Sequence, residues 1–172
     1  QRSVPHTVVE GCRGVWLTVC GTLRCMTWPG CVRGSRCWCR DVAYNNMNGL
    51  LPEELGDLEQ LTLLALDDNT IEGTIPAQLV GLGQLTHLNL RNNRLQGTIP
   101  EDGLGNLKQL VDLNLYGNRL SGTIPEELGG LGNLTELDLD HNQLEGPIPS
   151  RLGDLEQLTY LALGYNRVLV LG

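Results

Sequence analysis

The chain has 172 residues and a formal net charge of −8, with 41% hydrophobic but only 4% aromatic residues. That length ordinarily makes one domain able to bury a sizeable core. The acidic balance repels phosphate backbones and excludes nucleic acid as a partner of the chain's main body, and no apolar run reaches the roughly 18 residues that a membrane-spanning helix needs.

The first stretch differs from everything after it. Residues 1–44 carry six Arg against Glu10 and Asp41, a balance of +4, while residues 45–172 carry six basic and 18 acidic groups, a balance of −12. All six Cys (Cys12 to Cys39) and all three Trp fall between Gly11 and Arg40, where there is no acidic side chain. An even number of Cys crowded at one end predicts a disulfide-closed basic cap over 1–36 in an oxidising compartment, with the pairing open. The intervals lack the paired spacing of a zinc site. Translation from a different reading frame is the other account of so foreign a composition.

From about Cys37 to the end one pattern repeats. Asn45, Asn69, Asn93, Asn118, Asn142 and Asn166 are spaced by 24 residues, with a single step of 25, and Pro52, Pro76, Pro100, Pro125 and Pro149 keep the same beat. The extra residue lies near Asp102 or Gly103, in PEDGLGNL, and the register resumes by Leu107, so a loop is expected to absorb it. A period of this size predicts a solenoid whose core is a seam shared between neighbouring coils. At the first rung Cys37 and Arg40 stand where later rungs have Leu, so that rung is expected to be imperfect.

Each unit opens with LxxLxL. In LTHLNL the alternation puts Leu88 and Leu90 inward and His87, Asn89 and Arg91 outward, and the matching inward pairs run to Leu161 and Leu163. Strands that return after about 24 residues without a hairpin must pair in parallel. The Asn that follows can satisfy turn groups with its acceptor and donors, and is assigned to the scaffold. Leu95 and its counterparts return the chain to the core. The glycine column Gly49, Gly73, Gly97, Gly122 and Gly146 marks a bend. The Ile-Pro pairs fix the backbone ahead of a short helical turn such as PEELG. After Asn166, Val170 replaces the expected Gly and Gly172 the expected Ile, so the last repeat reads as incomplete, with an uncapped apolar edge open to self-association.

The pattern LxxLxLxxNxLxGxIPxxLGxL resembles the plant-type leucine-rich repeat of receptor-like kinase ectodomains and of secreted polygalacturonase-inhibitor-like proteins. The resemblance spans roughly residues 37–168. It implies an α/β leucine-rich-repeat solenoid, a right-handed coil with one parallel sheet on the concave face and short helical turns and loops on the convex face. It also implies ligand binding along the concave strands. The expected organisation is a capping segment over 1–36 and a repeat domain of about six rungs over 37–172.

With the leucines inward, the variable letters line up across the rungs about 4.8 Å apart. One column reads Leu63, His87, Asp112, Glu136, Tyr160, and the next Ala65, Asn89, Asn114, Asp138, Ala162. A third reads Asp67, Arg91, Tyr116, Asp140, Gly164, and a fourth Asp68, Asn92, Gly117, His141, Tyr165. The expected partner-binding residues are His87, Asn89, Arg91, Asp112, Asn114, Tyr116, Glu136, Asp138, Asp140, His141, Tyr160 and Tyr165. The expected partner is a protein, peptide or glycan, met outside the cell or on a membrane-associated ectodomain whose anchor lies in other segments. A secreted enzyme inhibitor is the alternative, and an ice-binding or wall protein a more distant one.

His87, Asp112 and Glu136 have the donor chemistry of a divalent-metal site. An open sheet without a second ring of supports or a nucleophile motif argues against metal and catalysis alike, so no cofactor, metal or catalytic residue is expected. The threonine ranks Thr74, Thr98, Thr123 and Thr62, Thr86, Thr135, Thr159 are broken at Pro147 and Val111, and read as β-branched strand formers. Asn133-Leu134-Thr135 is a glycosylation sequon that the repeat pattern also generates.

Overall fold

The computed structural model describes residues 47–169. The capping segment, the rung at Cys37 to Arg40, Asn45, Val170 and Gly172 lie outside the described residues. Five short strands form the expected parallel sheet: β2 (Leu63–Ala65), β4 (His87–Asn89), β6 (Asp112–Asn114), β8 (Glu136–Asp138) and β10 (Tyr160–Ala162), in that order. Their pairing is in repeat register, Leu88 opposite Leu64 and Leu113, Leu137 opposite Leu113 and Leu161.

A second parallel sheet, not signalled by the repeat letters, runs along the return side of each coil. It contains β1 (Asn48–Leu50), β3 (Thr70–Gly73), β5 (Arg94–Gly97), β7 (Arg119–Thr123), β9 (Gln143–Pro147) and β11 (Arg167–Leu169), again in chain order. Its register is displaced: Thr70 pairs with Asn48 and Leu95 with Gly73, a step of 22 against the 24 of the first sheet. Between the two sheets each coil makes a 3₁₀ turn, Glu53–Asp57, Ala77–Gly81, Leu104–Asn106, Glu126–Gly130 and Ser150–Asp154. Four of these follow an extended Pro, three of them in the expected Ile-Pro pairs and the first in Leu51-Pro52. The third is shortened to three residues and preceded by Gly103 at φ 83°, and this is where the extra residue is absorbed.

The core is a leucine seam. Leu64, Leu66, Leu88, Leu90, Leu113, Leu115, Leu137 and Leu139 are at most 4% exposed, and each such side chain contributes roughly 2 kcal/mol through removal from water. Leu161, expected inward, is 45% exposed because no described rung covers it, while Leu163 is partly buried against the seam. No helix among the described residues is long and apolar enough to cross a membrane.

The asparagine ladder closes each turn. Asn93 Oδ1 accepts the Ile71 N–H at 3.0 Å, and its amide is shared among the carbonyls of Leu90, Arg91 and, across the rung, Leu66 at 2.9 Å. Asn118, Asn142 and Asn166 repeat the arrangement. Buried amide and carbonyl groups are thereby paired where neither sheet reaches them.

The glycine column sits within the second sheet at positive φ, 78° at Gly97, Gly122 and Gly146. A Cβ at Gly122 would lie 2.9 Å from the Thr98 methyl, and the same contact links Gly146 with Thr123. One threonine rank therefore fills the space the glycines leave. The other gives its hydroxyls to the preceding rung, Thr86 to the Thr62 carbonyl at 2.7 Å, Thr135 to Val111 and Thr159 to Thr135.

Candidate functional site

The outward face of the five-stranded sheet assembles the predicted columns rung by rung. His87, Asp112, Glu136 and Tyr160 lie side by side in register, as do Asn89, Asn114 and Asp138. Arg91, Tyr116 and Asp140 follow just past the strand ends, and His141 and Tyr165 one residue further on. All twelve predicted residues thus fall on one face.

Three of them also serve the scaffold. Asn89, Asn114 and Asp138 each accept the backbone N–H two residues on, from Arg91, Tyr116 and Asp140, at 3.2, 3.1 and 3.1 Å. One oxygen of each closes the turn out of its strand, so this column is half scaffold. The fourth column is not extended: Asp68, Asn92, His141 and Tyr165 have φ of 53°, 50°, 54° and 45°, and Gly117 67°. Asn and Asp tolerate that left-handed conformation, whereas for tyrosine it is strained. The turn swings these side chains toward the neighbouring rung, so that Asn92 donates to Asp68 Oδ1 at 2.7 Å.

A line of rings results. The Arg91 guanidinium carbon lies 5.7 Å from the centre of the Tyr116 ring. Tyr116 and His141 have centroids 4.9 Å apart, and His141 stacks on Tyr165 at 4.1 Å with 28° between planes. His141 Nδ1 is 2.9 Å from Asp140 Oδ2. Asp140 leans over Gly164, where a Cβ would come within 2.5 Å of Oδ1, and Asn92 uses the gap at Gly117 in the same way. Gly117, Gly164, Asp67, Asp68 and Asn92 therefore shape the face although they were not among the predicted binding residues. Their signal was already present as letters of the third and fourth columns.

The electrostatics are one-sided. Among the described residues, Asp67, Asp112, Glu136, Asp138 and Asp140 share the face with one guanidinium, that of Arg91. Burial pushes the Asp112 carboxyl above the ordinary carboxylate range, the Glu136 charge adds to this, His87 opposes it, and Asp138 raises it again. Asp138 is raised first by burial, against the hydrogen bond from the Asp140 N–H, with Asp140 adding and Arg91 and His141 opposing. Asp67 is raised mainly by burial, with its own backbone hydrogen bond opposing and the adjacent Asp68 charge adding. Burial is the main cause for all three, and neighbouring carboxylates add to it.

Among the described residues, no group of three or more His, Cys, Asp or Glu side chains is arranged to hold a metal ion. His87 Nδ1 instead meets Thr86 Oγ1 at 2.9 Å; that hydroxyl gives its proton to the Thr62 carbonyl, so Nδ1 is the donor of the pair. On the sequon, Asn133 is exposed and donates to the Lys108 carbonyl at 2.8 Å.

Comparison with known proteins points in one direction. A family model described as a leucine-rich repeat region matches residues 44–166. No curated protein matches the sequence. Among solved structures, the ectodomain of the plant membrane receptor kinase GASSHO1/SCHENGEN3 from Arabidopsis thaliana, in complex with CASPARIAN STRIP INTEGRITY FACTOR 2, is 38% identical with a TM-score of 0.71. That match covers 73% of this chain and 15% of the ectodomain. The Arabidopsis receptor kinase HAESA, in complex with the peptide hormone IDA and the co-receptor SERK1, is 43% identical with a TM-score of 0.68, over 70% of this chain and 20% of that one. The ectodomain of the receptor kinase SOBIR1 from Arabidopsis thaliana is 29% identical with a TM-score of 0.69, over 73% of this chain and 68% of its own. The chain thus spans about a fifth or less of the two ligand-bound receptors.

Proposed function

The chain belongs to the plant-type leucine-rich-repeat family, and from that premise we propose that it is a non-enzymatic, receptor-like recognition module that binds a peptide or protein along its five-stranded sheet. The observation that carries this reading is the acidic and aromatic face built on consecutive rungs, from Arg91 through Tyr116 and Asp140 to Tyr165. Carboxylates concentrated on the described part of this face attract a cationic partner and steer its approach. Exposed tyrosines supply rigid contact area of the kind that anchors interfaces. Two of the similar ectodomains were solved with a peptide hormone or a named integrity factor bound, which supports the same partner class here. An extracellular or ectodomain setting follows from the same similarity and is part of the proposal.

Capture from the extracellular fluid of the source tests it. The unaltered chain is expected to retain a peptide or protein that a triple variant, Tyr116→Ala, Asp138→Asn and Asp140→Asn, does not. A convex-side control, Glu53→Gln with Glu54→Gln, is expected to behave like the unaltered chain. Equal recovery by the triple variant and the unaltered chain defeats the reading, and recovery of a glycan alone changes the partner class.

A further inference from the structure

Arg91, Tyr116, His141 and Tyr165 stand in continuous π contact over four rungs, with separations of 5.7, 4.9 and 4.1 Å along the line. Asp138 and Asp140 flank it, and Asp140 Oδ2 touches the same imidazole that bridges the two tyrosines. Tyr165 is 78% exposed, and its φ of 45° is an unfavourable conformation for a bulky side chain at a position where Asn92 and Gly117 show what local stability prefers. That conformation places a ring where it extends the line.

Resting on the reading of this sheet as the binding face, we infer that the line of rings and its two aspartates form a subsite for the guanidinium group of an arginine side chain carried by the partner. A guanidinium is planar and weakly hydrated, so it lies on a ring face while its edge directs paired N–H donors into carboxylates. An ammonium is compact and strongly hydrated, and gains from the charge without the plane. Both halves of guanidinium recognition are present: the exposed ring of Tyr165 at the end of the stack, and carboxylates on Asp138 and Asp140. The contact of Arg91 with Tyr116 is the same pairing made within the chain. Among the described residues of this face, Asp67, Asp112, Glu136, Asp138 and Asp140 outnumber the Arg91 guanidinium, so a second cation complements the charge.

Calorimetric titration of the full chain with an acetylated Gly-Arg-Gly-Arg-Gly peptide, its lysine counterpart and its citrulline counterpart tests the subsite. The arginine peptide is expected to bind about tenfold more tightly than the lysine peptide, and citrulline, planar but neutral, more weakly than either. Tyr165→Ala is expected to erase the preference for arginine over lysine with the melting transition unchanged, while Glu136→Gln, off the line of rings, weakens both peptides alike. Equal affinity for arginine and lysine peptides, or no saturable arginine binding, overturns the subsite; the capture experiment above judges the binding face independently.

Discussion

The side-chain oxygen of Asn118 accepts the backbone N–H of Leu95 at 3.1 Å, although the two residues lie on neighbouring coils, 23 positions apart. Its amide holds the carbonyls of Leu90 and Leu115 at 3.0 and 3.1 Å. Asn118→Ala strands buried groups on two coils at once, and unpaired buried groups cost roughly 1–3 kcal/mol apiece. A loss of about 3 kcal/mol is expected in urea unfolding. Asn118→Asp is expected to be no better near neutral pH, since a carboxylate cannot donate to the two carbonyls. A change within about 0.5 kcal/mol contradicts the structural role of the ladder.

Gly122 combines a φ of 78° with a space that the Thr98 methyl already occupies. Gly122→Ala is expected to destabilise by about 2–3 kcal/mol, part from the left-handed backbone and part from the methyl contact. Thr98→Ser in the same chain removes the second part and should recover about 1 kcal/mol. Additive effects of the two substitutions would show that the contact is not what the glycine serves.

Asp112 binds its proton more tightly in the folded chain than its ordinary value of 3.8 implies, chiefly through burial and the Glu136 charge. The folded state therefore holds more protons than the unfolded state between the ordinary and the raised value. This group's contribution to stability accordingly falls as pH rises through that window. Asp112→Asn is expected to raise the thermal midpoint at neutral pH and to flatten the decline above the ordinary carboxylate range. A lower midpoint at neutral pH would show that the carboxylate is stabilised in the fold, against the assigned cause.

Leu137 and Leu161 occupy the same letter on adjacent rungs, yet the first is 0% exposed and the second 45%. Leu137→Ala is expected to cost about 3 kcal/mol through lost burial and a cavity, and Leu161→Ala less than about 1.5 kcal/mol. Equal losses in denaturant unfolding would mean that something covers the last described rung in solution.

The seam, the ladder and the first sheet were legible because each is a letter repeated at a fixed period, and periodicity survives without coordinates. The second sheet was not. Its strands, such as Arg94 to Gly97, are only three to five residues long, this one ending on a glycine, and their pairing is a main-chain matter displaced by two residues from the repeat beat. The columns of the sheet's outward face align in register as far as the strands extend. Beyond them the left-handed turn at His141 and Tyr165 carries the ring contacts diagonally from the third column to the fourth, a step that sequence alignment of rungs cannot show. Asn89 and Asp138 looked like free polar letters because their bonds are to backbone groups two residues on, which no pattern of side chains reveals.

The extra residue beside Gly103 leaves Asn89 opposite Asn114 and Leu88 opposite Leu113, as on every other rung. Insertions on the outer bend can therefore be edited, tagged or lengthened without re-spacing the inner face, whereas one residue gained within a strand would turn its whole set of side chains over. Such a coil has a margin and a text: length can drift in the margin over evolutionary time or at an engineer's bench, while the reading frame of the inner face stays in step.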